Sequence, residues 1–336
     1  MHIIRLGADL EYACGDDDTL LRAGLRAGLG FPYECNAGSC GTCKVELLEG
    51  QVSSLRPDAP GLSDQDRARN RILACQARPA SDCAIKVRLR AENVPQHRPR
   101  HFRATLEGVH DLTHDLREFR FATRGAPGFL PGQYALFQLP GIVAPRSYSM
   151  SNVDDGSGEW HFVVKRAPLG EGTGALFDRV PIGSELSLDG PYGLAYLRAA
   201  SPRDIVCVGG GSGLAPMLSI ARGAVREPAL ADRLIHVFYG ARAARDLGGA
   251  QALTALPGFG TRLFYQAVLS MPELDAPESW QGPTGFVHEH VRHVLGDKMG
   301  LYEWYFAGPP VMAQAMQRLL IEKRVPYSQV HFDSFY

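Results

Sequence analysis

The stretch "CNAGSCGTC", residues 35–43, places three of the chain's seven cysteines and two glycines in nine positions. Cys35, Cys40 and Cys43 follow the spacing C-x4-C-x2-C, and Cys75, in "ILACQ", comes 32 residues after Cys43. A disulfide would leave one of the three unpaired. Three clustered thiolates and one distant one are the ligand spacing of a plant-type 2Fe–2S cluster, whereas zinc sites draw on two short pairs. Gly38 and Gly41 allow the tight curvature with which a loop wraps a small anionic cluster, and leave N–H groups free to reach its sulfurs. Cys14, Cys83 and Cys207 have no partner at ligand spacing and read as small apolar side chains. The competing reading is a four-cysteine zinc site in a non-enzymatic binding module.

With 336 residues, 45% of them hydrophobic and 21% charged, the chain has the composition of two or three globular domains. Its formal charge of −1 excludes a general attraction to nucleic acid or anionic lipid. The first residues lack the pattern of a signal peptide. Residues 125–145, "GAPGFLPGQYALFQLPGIVAP", carry no charge, but four prolines and four glycines would interrupt a spanning helix. Loop and strand are expected there, no membrane insertion, and a cytoplasmic setting in which clustered cysteines serve metal or redox chemistry.

Three domains are the economical division. Residues 1–92 start with a strand-like "HIIRL", continue to a helical stretch with Leu21, Leu25 and Leu29 on one face, and end on alternating "CAIKVRLR". A hairpin is expected across "KVELLEGQVSSL", turning at Glu49-Gly50. A polar linker over 93–101 precedes short strands and Gly/Pro turns over 102–200, the pattern of a small antiparallel barrel. From 201 to 336, strands and helices alternate, as in a parallel sheet with helical crossovers.

Within the barrel segment, "RSYSM" (146–150) follows "PGQY" (131–134). Arg146 suits a phosphate, Tyr148 offers a flat face to a ring system, and the Ser149 hydroxyl can meet a polar ring edge. "GEGT" (170–173) opens a helical stretch whose N–H groups suit a pyrophosphate. In the last segment "VGGGSGLAPM" (208–217) follows a strand and starts a helix, with Gly211, Ser212, Gly213 and Pro216 placed for a dinucleotide phosphate. Asp246 is the candidate acceptor for an adenosine ribose, which favours NADH over NADPH, while nearby Arg242 and Arg245 favour the 2′-phosphate.

Taken together, these motifs make the chain resemble, over essentially its whole length, the ferredoxin–NADP reductase superfamily. The branch is the one with an N-terminal plant-type ferredoxin domain, whose members are reductase components of bacterial multicomponent oxygenases. "FPYECNAGSCGTCKVELLEG", "RPDAPGLS", "PTGFVHE" and "VPYSQVHFDSFY" are similar to electron-transfer components of toluene monooxygenases. The resemblance implies a β-grasp 2Fe–2S domain, a six-stranded FAD barrel and a Rossmann-like NAD domain. It implies FAD on Arg146, Ser147, Tyr148, Ser149, Gly170, Gly172 and Thr173, with Lys165 at the phosphates. It also implies that one terminal aromatic of the pair Phe335 and Tyr336 lies against the flavin face, assigned here to Phe335, with Ser149 and Phe335 forming the flavin–nicotinamide environment. "FAGPPVM" keeps Gly308, Pro309 and Pro310 of the family's C-G-P-P turn but has Ala307 in place of the cysteine, so that cysteine's role is not carried over.

The implied activity is electron transfer from NADH through FAD and the cluster to an oxygenase hydroxylase or a Rieske-type ferredoxin, by a monomer. A toluene-type diiron monooxygenase is the expected client. A Rieske ring dioxygenase or a deoxysugar dehydratase system is the alternative.

Overall fold

The apolar residues at the two ends of the first segment pair with each other across the whole segment. In a computed structural model describing residues 1–7, 9–275 and 280–335, this segment contains β1 (His2–Leu6), β2 (Leu10–Cys14), α1 (Leu20–Arg26), β3 (Lys44–Glu49), β4 (Val52–Ser54), α2 (Asp64–Ala68), β5 (Arg71–Leu73), β6 (Ala77–Pro79) and β7 (Cys83–Lys86). Its main sheet has the order β2-β1-β7-β3-β5, with β1 and β7 parallel. Thr19 caps α1 through the Arg22 N–H, and Leu20, Leu21 and Leu25 bury one face of the helix against the sheet.

The hairpin expected at Glu49-Gly50 does not form. β3 pairs with β5 and β7, while β4 pairs with β6 in a separate ribbon. At Gly50, where φ is 91°, the chain leaves the sheet, and a Cβ would lie 2.2 Å from the Asp82 carbonyl.

The second segment forms β8 (Arg100–Asp111), β9 (Leu116–Thr123), β10 (Tyr134–Gln138), β11 (Arg146–Ser149), β12 (Glu159–Lys165), α3 (Glu171–Arg179) and β13 (Glu185–Tyr192). The six strands run β11-β10-β13-β8-β9-β12. A bridge between Met150 and Phe162 nearly closes this sheet into a barrel, which is filled by Phe119, Phe121, Phe137, Trp160 and Phe162. The uncharged stretch at 125–145 is loop and strand, with β10 inside it. Among the described residues no helix is long and apolar enough to cross a membrane.

The third segment alternates β14 (Asp204–Gly210), α4 (Leu214–Arg226), β15 (Ile235–Ala241), α5 (Ala250–Thr254), β16 (Leu263–Leu269), α6 (Val287–Leu295), β17 (Tyr302–Gly308), α7 (Pro310–Glu322) and β18 (Val330–Ser334). All neighbours in its sheet, β16-β15-β14-β17-β18, are parallel. Buried on both faces, these strands read as continuous apolar runs such as "IVCV".

Polar contacts hold the three units together. Arg26 donates to the Tyr192 hydroxyl and to Asp189 Oδ2, both at 2.9 Å, and Tyr192 donates to the same carboxylate at 2.8 Å. The linker is also docked, since Asn93 donates to the Phe31 carbonyl at 3.0 Å. On the other side, Ser219 in α4 donates to the Asn152 carbonyl at 2.6 Å and accepts from the Gly132 N–H.

Removing the Arg26 charge would leave Asp189, whose side chain is 8% exposed, buried without its cation. Arg26→Met is therefore expected to cost about 3 kcal/mol in denaturant unfolding. A variant as stable as the parent would show that the contact does not hold the units together.

Candidate functional site

The cysteine loop turns through three left-handed residues, Asn36 (φ 51°), Gly38 (82°) and Gly41 (75°). At Gly41 a Cβ would lie 2.7 Å from the Gly61 carbonyl, so the loop can be this tight only with glycine there. The N–H groups of Ala37 and Cys40 both point at Cys35 Sγ at 3.4 Å, and that of Thr42 points at Cys40 Sγ at 3.5 Å. The Gln76 amide donates to Cys75 Sγ at 3.3 Å. Cys43 and Cys75 are buried, whereas Cys35 and Cys40 lie at the rim.

The sulfurs face one another in two pairs, Cys35 with Cys40 and Cys43 with Cys75. The Cys40 partner, helped by the Ala37 and Cys40 N–H groups, brings the Cys35 thiol down to about 7 against its burial. Cys75 is lowered first by Cys43, then by Gln76 and the Arg22 charge. Four thiolates around one zinc would stand about 3.8 Å apart, given Zn–S bonds of about 2.3 Å. No three of these sulfurs lie within 4.8 Å of one another. Two pairs on a wider base suit two irons, and the four residues fit a 2Fe–2S cluster.

β11 lies directly beside this loop. The Ser147 hydroxyl donates to the Cys35 carbonyl at 3.3 Å, and the Tyr134 hydroxyl donates to the Glu34 carbonyl at 2.6 Å. The neighbouring cavity, about 760 Å³, is lined by Arg146, Ser147, Tyr148, Ser149, Lys165, Gly170, Gly172, Thr173 and Phe335, and also by Cys35. Tyr148 packs edge-on against Phe137, and burial pushes its phenol up to about 12. Thr173 Oγ1 accepts from the Ala167 N–H and donates to the Gly170 carbonyl, fixing the turn into α3. Gly170 offers no capping side chain, so the first N–H groups of α3 remain open for an anion. At Gly172 a Cβ would lie 2.9 Å from Arg146 Cγ, so the glycine makes room for the arginine. Cavity size, open helix end and arginine together fit FAD.

Bordering the cavity through Ser212, Gly211–Gly213 form a single turn into α4, with Pro216 in its first turn and the Tyr239 hydroxyl on the Gly211 carbonyl at 3.1 Å. A Cβ on Gly213 would lie 1.9 Å from the Ala307 carbonyl oxygen. Ala307 is buried in β17, and Gly308, Pro309 and Pro310 lead into α7. The Phe335 N–H donates to the Gly308 carbonyl at 3.2 Å, which ties the terminal aromatic to this turn. Tyr336 lies outside the described residues.

Asp246, expected at a ribose, is buried. Its Oδ2 accepts from the Ala243 N–H at 3.2 Å and lies 3.6 Å from Arg242, while Oδ1 stands 3.8 Å from both Lys165 and His114. Lys165, expected at phosphates, is paired with Asp115 at 3.0 Å while it borders the cavity.

Family models match in the same order as these sites: a 2Fe-2S iron-sulfur cluster binding domain over residues 3–80, an oxidoreductase FAD-binding domain over 103–196 and an oxidoreductase NAD-binding domain over 207–318. Ferredoxin–NAD(P)+ reductase CarAd of Metapseudomonas resinovorans is 42% identical over 100% of both chains. The chain belongs to the ferredoxin–NAD(P)+ reductase family. The ferredoxin–NAD+ reductase component of the alkene monooxygenase system of Xanthobacter autotrophicus is 38% identical to this reductase, over 99% of this chain and 100% of that one. The xylene/toluene monooxygenase electron transfer component XylA of Pseudomonas putida is 33% identical over 98% and 92%. The solved ferredoxin reductase in carbazole 1,9a-dioxygenase superposes with a TM-score of 0.91 at 38% identity, covering 100% of this chain and 98% of that one.

Sequence reasoning missed three polar residues of the reductase: Arg22 and Asp333, which are buried, and Glu34, which is half-buried. Burial, then the Glu34 charge, pushes the Asp333 carboxyl up to about 8, and its Oδ2 has no partner. The two acids face each other where the C-terminal strand meets the cysteine loop, a meeting of distant segments that no local pattern marks.

Gly213→Ala would force the nucleotide loop off Ala307. KM for the nicotinamide substrate should rise at least about tenfold, with flavin and iron content unchanged. An unchanged KM would remove this loop from the substrate site.

Proposed function

We propose that this reductase takes hydride from NADH, passes the electrons through FAD to the 2Fe–2S centre on Cys35, Cys40, Cys43 and Cys75, and delivers them singly to a ferredoxin of an oxygenase system. The observation that carries this reading is the 3.3 Å hydrogen bond from Ser147, on the flavin strand, to the Cys35 carbonyl. It brings the flavin cavity and a cluster ligand into contact without intervening chain. FAD, when bound, supplies the conversion between two-electron and one-electron transfer.

The chain's own residues bind, orient and exclude water. Arg146 and the open end of α3 hold the phosphates; Tyr148 and Ser149 meet the ring; Phe335 covers its nicotinamide side and must move when the substrate docks. The glycine turn at 211–213 and the Gly308–Pro310 turn hold that substrate. The working units are a ferredoxin domain (1–92), a linker (93–101), a flavin barrel (102–200) and a nucleotide domain (201–336).

NADH is favoured because Arg242 and Arg245, the cations at the end of β15, already face the carboxylates of Asp246 and Asp275 at 3.6 and 3.5 Å. The Xanthobacter relative is likewise named for NAD+. A ferredoxin is favoured as acceptor because the relatives that match at 42% and 38% are both named ferredoxin reductases. Direct delivery to a diiron hydroxylase is the second reading, supported by the likeness to the electron transfer component XylA.

Anaerobic titration with NADH, followed by absorption and low-temperature EPR, should bleach the flavin and develop the rhombic signal of a reduced 2Fe–2S centre. Flavin bleaching with no such signal would break the proposed order. Cys43→Ser should abolish ferredoxin reduction and spare ferricyanide reduction by the flavin; loss of both in an FAD-loaded variant would refute it. The ratio of kcat/KM for NADH to that for NADPH should exceed about ten, and a reversed ratio would overturn the donor assignment.

A further inference from the structure

α1 carries two arginines one turn apart, and among the described residues only one has an acid partner within ion-pair distance. Arg26 lies 2.9 Å from Asp189 and 3.5 Å from Asp18. Arg22 is 6% exposed, and among the described residues no carboxylate stands within 4.0 Å of it. A guanidinium does not shed its charge on burial, and a buried charge without compensation is expensive. Something of opposite sign must therefore face Arg22.

Its surroundings show where that charge lies. Arg22 Nε donates to Asn36 Oδ1 at 3.2 Å, inside the cysteine loop. Arg22 borders the flavin cavity together with Cys35 and Asn36 of the cysteine loop and with Gln76, whose amide donates to Cys75 Sγ. Asn36 is itself 2% exposed and leaves its Nδ2 without a partner. Asp189 also feels Arg22, but Arg26 occupies that carboxylate.

We propose that Arg22 is the counter-charge of the iron–sulfur centre and sets how readily that centre accepts an electron. This rests on the assignment of the four cysteines to a 2Fe–2S cluster. Two ferric ions do not offset two sulfides and four thiolates, so the oxidised centre is already anionic. The electron given up by the reduced flavin adds one further negative charge, and no bond at Arg22 forms or breaks. A fixed cation nearby therefore stabilises the reduced centre more than the oxidised one. Arg22 is a positioning and tuning residue, since it exchanges no proton or electron.

The test is a potentiometric titration of the holoprotein, with the cluster read by EPR and the flavin by absorbance in the same sample. Arg22→Gln should move the cluster midpoint to more negative potential, lowering the flavin-to-cluster equilibrium constant about tenfold, while the flavin midpoint moves less. Arg22→Lys, which keeps the charge, should stay near the parent. A cluster midpoint unchanged in Arg22→Gln, or lowered as far in Arg22→Lys, would overturn the proposal, the second outcome because geometry and not charge would then matter. Should Arg22→Gln hold no iron, Arg22→Met, which also removes the charge and buries no polar amide, carries the test: a lowered midpoint supports the counter-charge and an unchanged one refutes it. Parent protein without iron and sulfide would instead refute the cluster assignment itself, which metal analysis reads separately.

Discussion

The contact between β11 and the cysteine loop is the constraint on which the rest of the structure depends. A strand that lines the flavin cavity with all four of its residues also uses one of them, Ser147, to hold the carbonyl of Cys35. The barrel must therefore present an open edge at β11, and the ferredoxin unit must dock by its cluster face. The polar contacts around Arg26, Asp189 and Tyr192 serve that docking. Because the two sites share a wall, electrons would need no domain motion to pass from one to the other, whereas under the proposed reading Phe335 covers the nicotinamide side and moves for each substrate.

The chemistry of the sites was legible because it depends on residue types at fixed short spacing. Cys35, Cys40 and Cys43 lie within one loop, "RSYS" within one strand and "GEGT" within one turn, and each motif forms where the sequence places it. The division into barrel and parallel sheet was legible too, from the change in strand rhythm near residue 203.

Pairing between distant segments was not legible. "KVELLEGQVSSL" has every local mark of a hairpin, but the chain leaves the sheet at Gly50, and β3 pairs with β5 and β7 while β4 pairs with β6, all of them partners from distant segments. Asp246 shows the same limit at a site. Its position after β15 is that of a ribose acceptor, but the fold turns its carboxylate inward to Ala243, Lys165 and His114. Arg22 carries no signal in sequence, since an arginine on an amphipathic helix ordinarily faces water.

The two sulfur pairs also have a consequence for how the protein is made. Cys43 stands at the entry to β3, and Cys75 lies between β5 and β6, so the pair joins segments separated by all of β4 and α2. Irons held by such pairs act as a cross-link that shortens the free chain, and the free energy of binding them becomes free energy of folding. The ferredoxin unit is then the part of the reductase whose folding waits on iron and sulfide. A cell short of iron or sulfide would accumulate chains with a finished barrel and nucleotide domain and an incompletely tightened electron outlet.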